Sequence, residues 1–211
     1  MRWWPGAATS TIVLVVALAA CSSAPTGAAA GAAAPTPSAA AVRPTTSADA
    51  SPVASGRPRV MAASVPVRVE IPAIGVDSEL MRLGLQDDGT LEVPPAGFPA
   101  GWYDGGPTPG ELGPAVIAGH VDWTTGPGVF FDLAQVAVGD EIRVGRADGT
   151  VPVFAVTAVE EHAKDEFPTA AVYGDIDHAG LRLITCGGDW DRSVSHYTAN
   201  VVVFAELVRP G

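Results

Sequence analysis

Leu181-Arg182-Leu183-Ile184-Thr185-Cys186-Gly187-Gly188 is an apolar, partly β-branched run that closes on a thiol and two glycines. It reads as a buried strand, and the glycines free the backbone just past the sulfur. A thiol at the end of such a strand is held by the sheet while still able to face a cleft. Sixty-six residues earlier, Ala115-Val-Ile-Ala-Gly-His120 has the same build and delivers an imidazole. A thiol and an imidazole on two strands are the minimum for cysteine acyl transfer, in which the base serves the nucleophile and then the leaving group. The only other cysteine, Cys21, lies far upstream in the N-terminal segment.

The length of 211 residues allows one ordinary domain with an appendage. The formal charge of −11 is unevenly spread. Residues 1–65 carry four arginines against Asp49, so residues 66–211 hold a balance of −14. A surface this acidic repels phosphate backbones, which excludes nucleic acid as a partner. Lys164 is the only lysine, against eleven arginines.

Residues 1–21 read as an export signal. Arg2 and the terminal amine precede an almost unbroken apolar run from Thr11 to Ala20, shorter than the roughly 20 residues of a bilayer span. The run ends in Leu18-Ala-Ala-Cys21, which resembles a bacterial lipobox, so Cys21 is the expected lipidation site. An uncleaved anchor starting near Trp3 and a plain signal peptide are the alternatives. All three put the domain outside the cytoplasm, with tethering to the outer face of the cell membrane favoured. Thiols outside the cytoplasm usually pair, so an unpaired Cys186 marks itself as reactive. A Cys21–Cys186 disulfide is the bland alternative. Residues 22–65 are rich in Ala, Pro, Ser and Thr with almost nothing large to bury. They are expected to form a disordered tether reaching on the order of 35–40 Å.

Residues 66–211 have the texture of an all-β domain. Val67-Arg-Val-Glu-Ile71 alternates with strand period and stops at Pro72; Ile74-Gly-Val76 starts another stretch. Asp87-Asp-Gly-Thr90 is a turn leading into Leu91-Glu-Val93, and residues 94–109 read as an irregular surface loop. Residues 115–118 form a central strand. Residues 139–144 and 151–159 flank Asp148-Gly149 as a hairpin. Residues 181–185 and 200–207 supply the last strands, while 130–136 and 169–173 can each make a turn or two of helix. Seven or eight short strands with Gly/Pro loops predict a closed β-barrel with one or two short helices.

Several blocks together resemble the sortases, most closely their actinobacterial class E/F branch. They are Arg68-Val-Glu-Ile-Pro72 with Ile74-Gly-Val76, Pro114-Ala-Val-Ile-Ala-Gly-His120, Phe130-Phe-Asp-Leu133 with Gly139-Asp-Glu-Ile142, and the Cys186 string with Tyr197 and Asn200-Val-Val-Val-Phe-Ala205. They occur in family order across nearly all of residues 66–211. The resemblance implies an eight-stranded sortase-like β-barrel transpeptidase. Such an enzyme cleaves a Leu-Pro-X-Thr-Gly-like sorting motif on surface proteins through a thioester. It then passes the acyl group to an amine of peptidoglycan or a pilin. No cofactor or metal is expected.

In that scheme Cys186 is the nucleophile and His120 the acid and base. Many sortases carry an arginine at the position aligned here with Asn200. Arg192, on the loop after the cysteine, is the candidate replacement, against the plain reading of a loop residue paired with Asp189 or Asp191. Arg82 or Arg143, or a hydrogen bond from Asn200, are further possibilities, and Asn200 also reads as a turn or strand-edge cap. Asp122 and Trp123 are candidates to orient the imidazole or line the substrate groove. Thr185 is a candidate hydrogen-bond partner of the motif. His196 is the runner-up base; His162 and His178 read as surface residues. Two readings compete. An L,D-transpeptidase is disfavoured because Ile-Thr, not His-Gly, precedes Cys186. A non-catalytic peptide-binding or scaffolding envelope lipoprotein would leave the thiol inert.

Overall fold

The computed structural model of the protein describes residues 60–211. The expected export signal, Cys21 and the tether up to residue 59 lie outside the described residues. Ten strands follow in order: β1 Pro66–Ile71, β2 Val76–Leu83, β3 Ala100–Tyr103, β4 Gly113–Ala118, β5 Asp122–Trp123, β6 Gly126–Pro127, β7 Glu141–Arg146, β8 Val153–Ala163, β9 Ala179–Asp191 and β10 His196–Arg209. Eight of them close a barrel in the order β1-β2-β3-β4-β9-β10-β8-β7, and β5 pairs only with β6. Among the described residues the one α-helix, α1, spans Thr169–Tyr173, as the sequence predicts. The all-β, eight-stranded expectation holds.

Alternation along the strands sorts residues between two apolar clusters. Odd positions of β9 and β10 (Leu181, Leu183, Val203, Ala205) point into the barrel with Ile117, Phe130 and Phe154. Even positions (Ile184, Val202) point outward, where Val116 and Val172 join them beneath α1. Arg182 fastens this outer layer. It is buried, its Nε–H donates to the Ala171 carbonyl at 3.3 Å, and its guanidinium lies 4.7 Å over the Phe204 ring. β4 is buried along its whole length because it is covered on both faces.

Some boundaries differ from the sequence reading, for physical reasons. β9 continues to Asp191 and β10 begins at His196, so Cys186 lies within a strand and Asn200 is neither a turn residue nor a strand-edge cap. The glycines after the thiol do not end β9; a register shift between Tyr197 and Ala199 on β10 accommodates them. The stretch at 94–109 hides β3, whose Gly101 leaves space for Leu83: a Cβ there would fall 2.4 Å from its Cγ. Leu91 forms one bridge to Leu85 instead of opening a strand. The helical expectation at 130–136 reduces to a single 3-10 turn, Leu133–Gln135. The last residues of the expected tether touch the barrel, where Met61 N–H donates to the Gly110 carbonyl and the buried Arg146 guanidinium bonds the Ala62 carbonyl.

Candidate active site

His120 and Cys186 meet because β4 and β9 are parallel neighbours in step. Ala118 and Ile184 are paired residues at the end of that ladder. Two residues further on, each chain presents its functional side chain. The Gly119 N–H still donates to the Ile184 carbonyl at 3.0 Å, which holds the two ends together. Beyond this point β4 leaves the sheet while β9 keeps its other edge on β10, and the departure opens a cleft over the thiol. A strand end was expected to expose Cys186; the end that does so belongs to β4.

The turn after β4 fixes the histidine. The Phe130 N–H donates to the His120 carbonyl and Gly128 N–H to that of Val121, both at 2.9 Å, folding the β5–β6 hairpin back on His120. Gly128 is required by this closeness, since a Cβ would lie 2.4 Å from the His120 carbonyl oxygen. On the ring, Nε2–H donates to the Pro94 carbonyl at 2.7 Å, and the Trp123 ring lies 4.7 Å away between centroids. Nδ1 is thereby the ring nitrogen left for chemistry. Trp123 lies against His120 and lines the smaller groove.

Two grooves share His120 and Cys186 as a common wall. The larger, about 1280 Å³, is lined by Leu91, Tyr103, Val116, Phe167 and Ile184, with Lys164 and Asn200 near the sulfur's end. The smaller, about 670 Å³, is lined by Asp122, Trp123, Trp190, His196 and Tyr197. The larger volume exceeds the roughly 300–1,000 Å³ of ordinary small-molecule pockets and suits a peptide. Tyr103 meets Tyr173 edge-on at 6.3 Å on its rim.

Cys186 is half-buried, without a disulfide partner among the described residues. Burial pushes its thiol above the ordinary range; Lys164 pulls it down and Asp122 pushes it further up. Asn200 is its direct cross-strand partner. Thr185 is buried, and its hydroxyl lacks a hydrogen-bond partner among the described residues, beside the larger groove. Asp122 sits on β5 and accepts a 2.6 Å hydrogen bond from the Tyr197 hydroxyl. That bond pushes the Tyr197 phenol up to about 12.

Arg192 stands on the exposed turn between β9 and β10, lines neither groove and makes no ion pair among the described residues; Asp191 instead caps Ser193. Arg82 and Arg143 are engaged elsewhere, with Asp104 and Glu141. His196 is exposed and lines the smaller groove, its Nδ1–H donating to the Tyr197 carbonyl at 2.9 Å. His162 and His178 pair with Glu160 and Asp177. Lys164 and β6 escaped sequence reasoning as parts of the site, and Tyr197 entered it only through the family resemblance. Lys164, as the sole lysine, carried a signal of its own.

The model of the sortase domain matches residues 69–208. The chain belongs to the sortase family. No curated protein matches it by sequence. Among solved sortases it is similar to sortase C-1 of Streptococcus pneumoniae, with 23% identity, a TM-score of 0.52 and coverage of 68% of this chain and 66% of that one. It is also similar to a lid mutant of sortase A from Corynebacterium diphtheriae, at 20% identity and TM-score 0.53 over 71% and 73% of the two chains. The sortase D5 transpeptidase of Clostridium perfringens matches at 20% identity and TM-score 0.50, over 69% and 79%. At such identities these likenesses concern the fold. Among the described residues of this sortase, no helix is long and apolar enough to cross a membrane.

Proposed function

We propose that this sortase is an extracytoplasmic cysteine transpeptidase of the class E/F kind, acting on a Leu-Pro-X-Thr-Gly-like sorting signal. The observation that carries the reading is the common wall: one thiol and one imidazole open to two grooves at once. An acyl transfer is served by that arrangement, because a donor peptide and an amine must approach the same carbon in turn.

The larger groove takes the donor, its apolar wall receiving the Leu-Pro end and Thr185 bonding the motif. The Cys186 thiolate attacks the carbonyl of the motif's threonine, and a C–S bond forms as the carbonyl pair moves to oxygen. Asn200 and Arg192 bond the donor or its developing oxyanion, Arg192 once the 192–195 turn lies over the smaller groove. The C–N bond then breaks, and the departing amine takes a proton from His120, leaving a thioester. An incoming peptidoglycan or pilin amine gives its proton to His120, attacks the thioester and expels the thiolate. Trp123 keeps the imidazole in place, and Asp122 holds Tyr197 at the mouth of the smaller groove. Residues 1–21 act as the export signal, Cys21 as the lipid anchor and 22–65 as the tether, with 66–211 as the catalytic domain.

The test is cleavage of a Leu-Pro-X-Thr-Gly peptide, with and without added amine, by the wild type and by Cys186→Ala, His120→Ala and Arg192→Ala. The first two substitutions abolish turnover and the third lowers it strongly; a thioester or a peptidyl methanethiosulfonate adduct forms on Cys186. Wild-type turnover in Cys186→Ala would end the reading and favour a non-catalytic scaffold.

A further inference from the structure

The larger groove contains one permanent cation. Lys164 lines it and no arginine does. Its position follows from the strand ladders. β10 runs between β9 and β8, and Asn200 is paired with Cys186 on one side and His162 on the other. Directly opposed residues share a face, so the outer face that carries the thiol continues across to His162. β8 ends at Ala163, the chain turns through the 3-10 segment Lys164–Glu166, and Phe167 packs on the outer apolar cluster. The turn therefore bends onto the outer face, carrying the ammonium of Lys164 into the groove. Among the described residues Lys164 forms no ion pair, although Asp165 and Glu166 follow it directly.

We propose that Lys164 is a positioning residue for the reaction: its charge stabilises the Cys186 thiolate from the wall of the donor groove and raises the fraction of enzyme ready to attack. The proposal rests on Cys186 being the nucleophile. Apart from His120, which carries the proton it later gives to the departing amine, the other titratable groups around the sulfur supply no positive charge. His120 after β4, Asp122 on β5 and Tyr197 on β10 line the grooves beside it, and Glu92 and Asp175 line the larger one further off. His162 on β8 is held by Glu160, and the Glu161 carboxylate lies near Gly187 on the neighbouring residue's side of the strand. Asp122 opposes ionisation of the thiol while Lys164 favours it. Arg192 remains on its turn, free to act on the bound peptide, so the two cations have separable effects.

The experiment measures the rate of iodoacetamide alkylation of Cys186 against pH in the full chain, read by mass spectrometry on the Cys186 peptide. Wild type is compared with Lys164→Gln, Lys164→Arg and Arg209→Gln. Lys164→Gln is alkylated roughly three- to tenfold more slowly near neutral pH, with its profile moved to higher pH. Lys164→Arg restores the wild-type profile, and Arg209→Gln, at an exposed arginine that lines neither groove, keeps it. Because Lys164 is exposed, high salt slows alkylation of the wild type and does not slow that of Lys164→Gln, where the charge left to screen is the opposing Asp122. A Lys164→Gln profile that superimposes on the wild type overturns the proposal, as does an arginine that fails to rescue. A chain that shows the Lys164 shift yet cleaves no sorting peptide supports this inference and overturns the transpeptidase reading.

Discussion

Asn200 and Cys186 are direct partners across the β9–β10 ladder. Their side chains therefore emerge on one face, roughly 5 Å apart at Cβ. A carboxamide stands where the family resemblance leads one to expect a guanidinium, bringing hydrogen-bond donors to the thiol without a charge.

Replacing that amide separates the two contributions. Asn200→Ala is expected to lower kcat/KM for the sorting peptide on the order of ten- to a hundredfold through loss of a donor. It should move the thiol titration less than loss of a full charge would, because the amide is a neutral donor. Asn200→Arg is expected to move alkylation of Cys186 to lower pH. Unaltered turnover in Asn200→Ala would remove the amide from the mechanism.

The buried thiol links stability to pH. Burial raises the thiol of Cys186 above its unfolded value, so the folded state holds that proton more tightly than the unfolded chain does. This contribution is complete below the unfolded value of about 8.5 and disappears as pH rises through the higher folded value. Urea midpoints should consequently fall more steeply with pH for the wild type than for Cys186→Ala between about pH 8 and 10. Parallel slopes would show that burial does not hold the proton.

Tyr197 and Asp122 make the same kind of statement at the smaller groove. The phenol, pushed up to about 12 by its hydrogen bond to Asp122, stays protonated where an ordinary tyrosine ionises near 10. Its stabilising effect is full below about 10 and is lost as pH climbs through the folded value. Ultraviolet titration of Asp122→Asn should show one phenol returning toward 10, and Tyr197→Phe should eliminate that late transition. If both variants titrate like the wild type, the hydrogen bond is absent in solution.

Gly128 is the residue whose replacement moves His120 without touching it chemically. Its added methyl would meet the His120 backbone at 2.4 Å, a contact that no side-chain rotation relieves. Gly128→Ala is expected to cost about 1–3 kcal/mol of stability and to depress peptide cleavage far more than that loss explains. Gly145→Ala, whose methyl would lie 3.4 Å from the Arg68 Cβ, serves as the tolerated control. Equal activity in the two variants would mean that the turn carrying His120 adjusts freely.

Local pattern alone was enough to establish that this is a strand-rich domain with a thiol and an imidazole each closing an apolar run. Alternation in β1, β7 and β8 and the unbroken apolar runs of β4 and β9 are properties of neighbouring residues, and α1 is bounded by Pro168 and Gly174. β3 escaped because its four residues are stabilised by β2 and β4, which are distant in sequence. The site divides in the same way. His120 and Cys186 were legible as residue types at the ends of apolar runs. Their meeting depends on the parallel step of β4 against β9, the place of Asn200 on the register of β10 against β9, and the cation on how the 164–166 turn folds over the outer face. Pairing register and loop direction are set by contacts between segments far apart along the chain, and no local spacing encodes them.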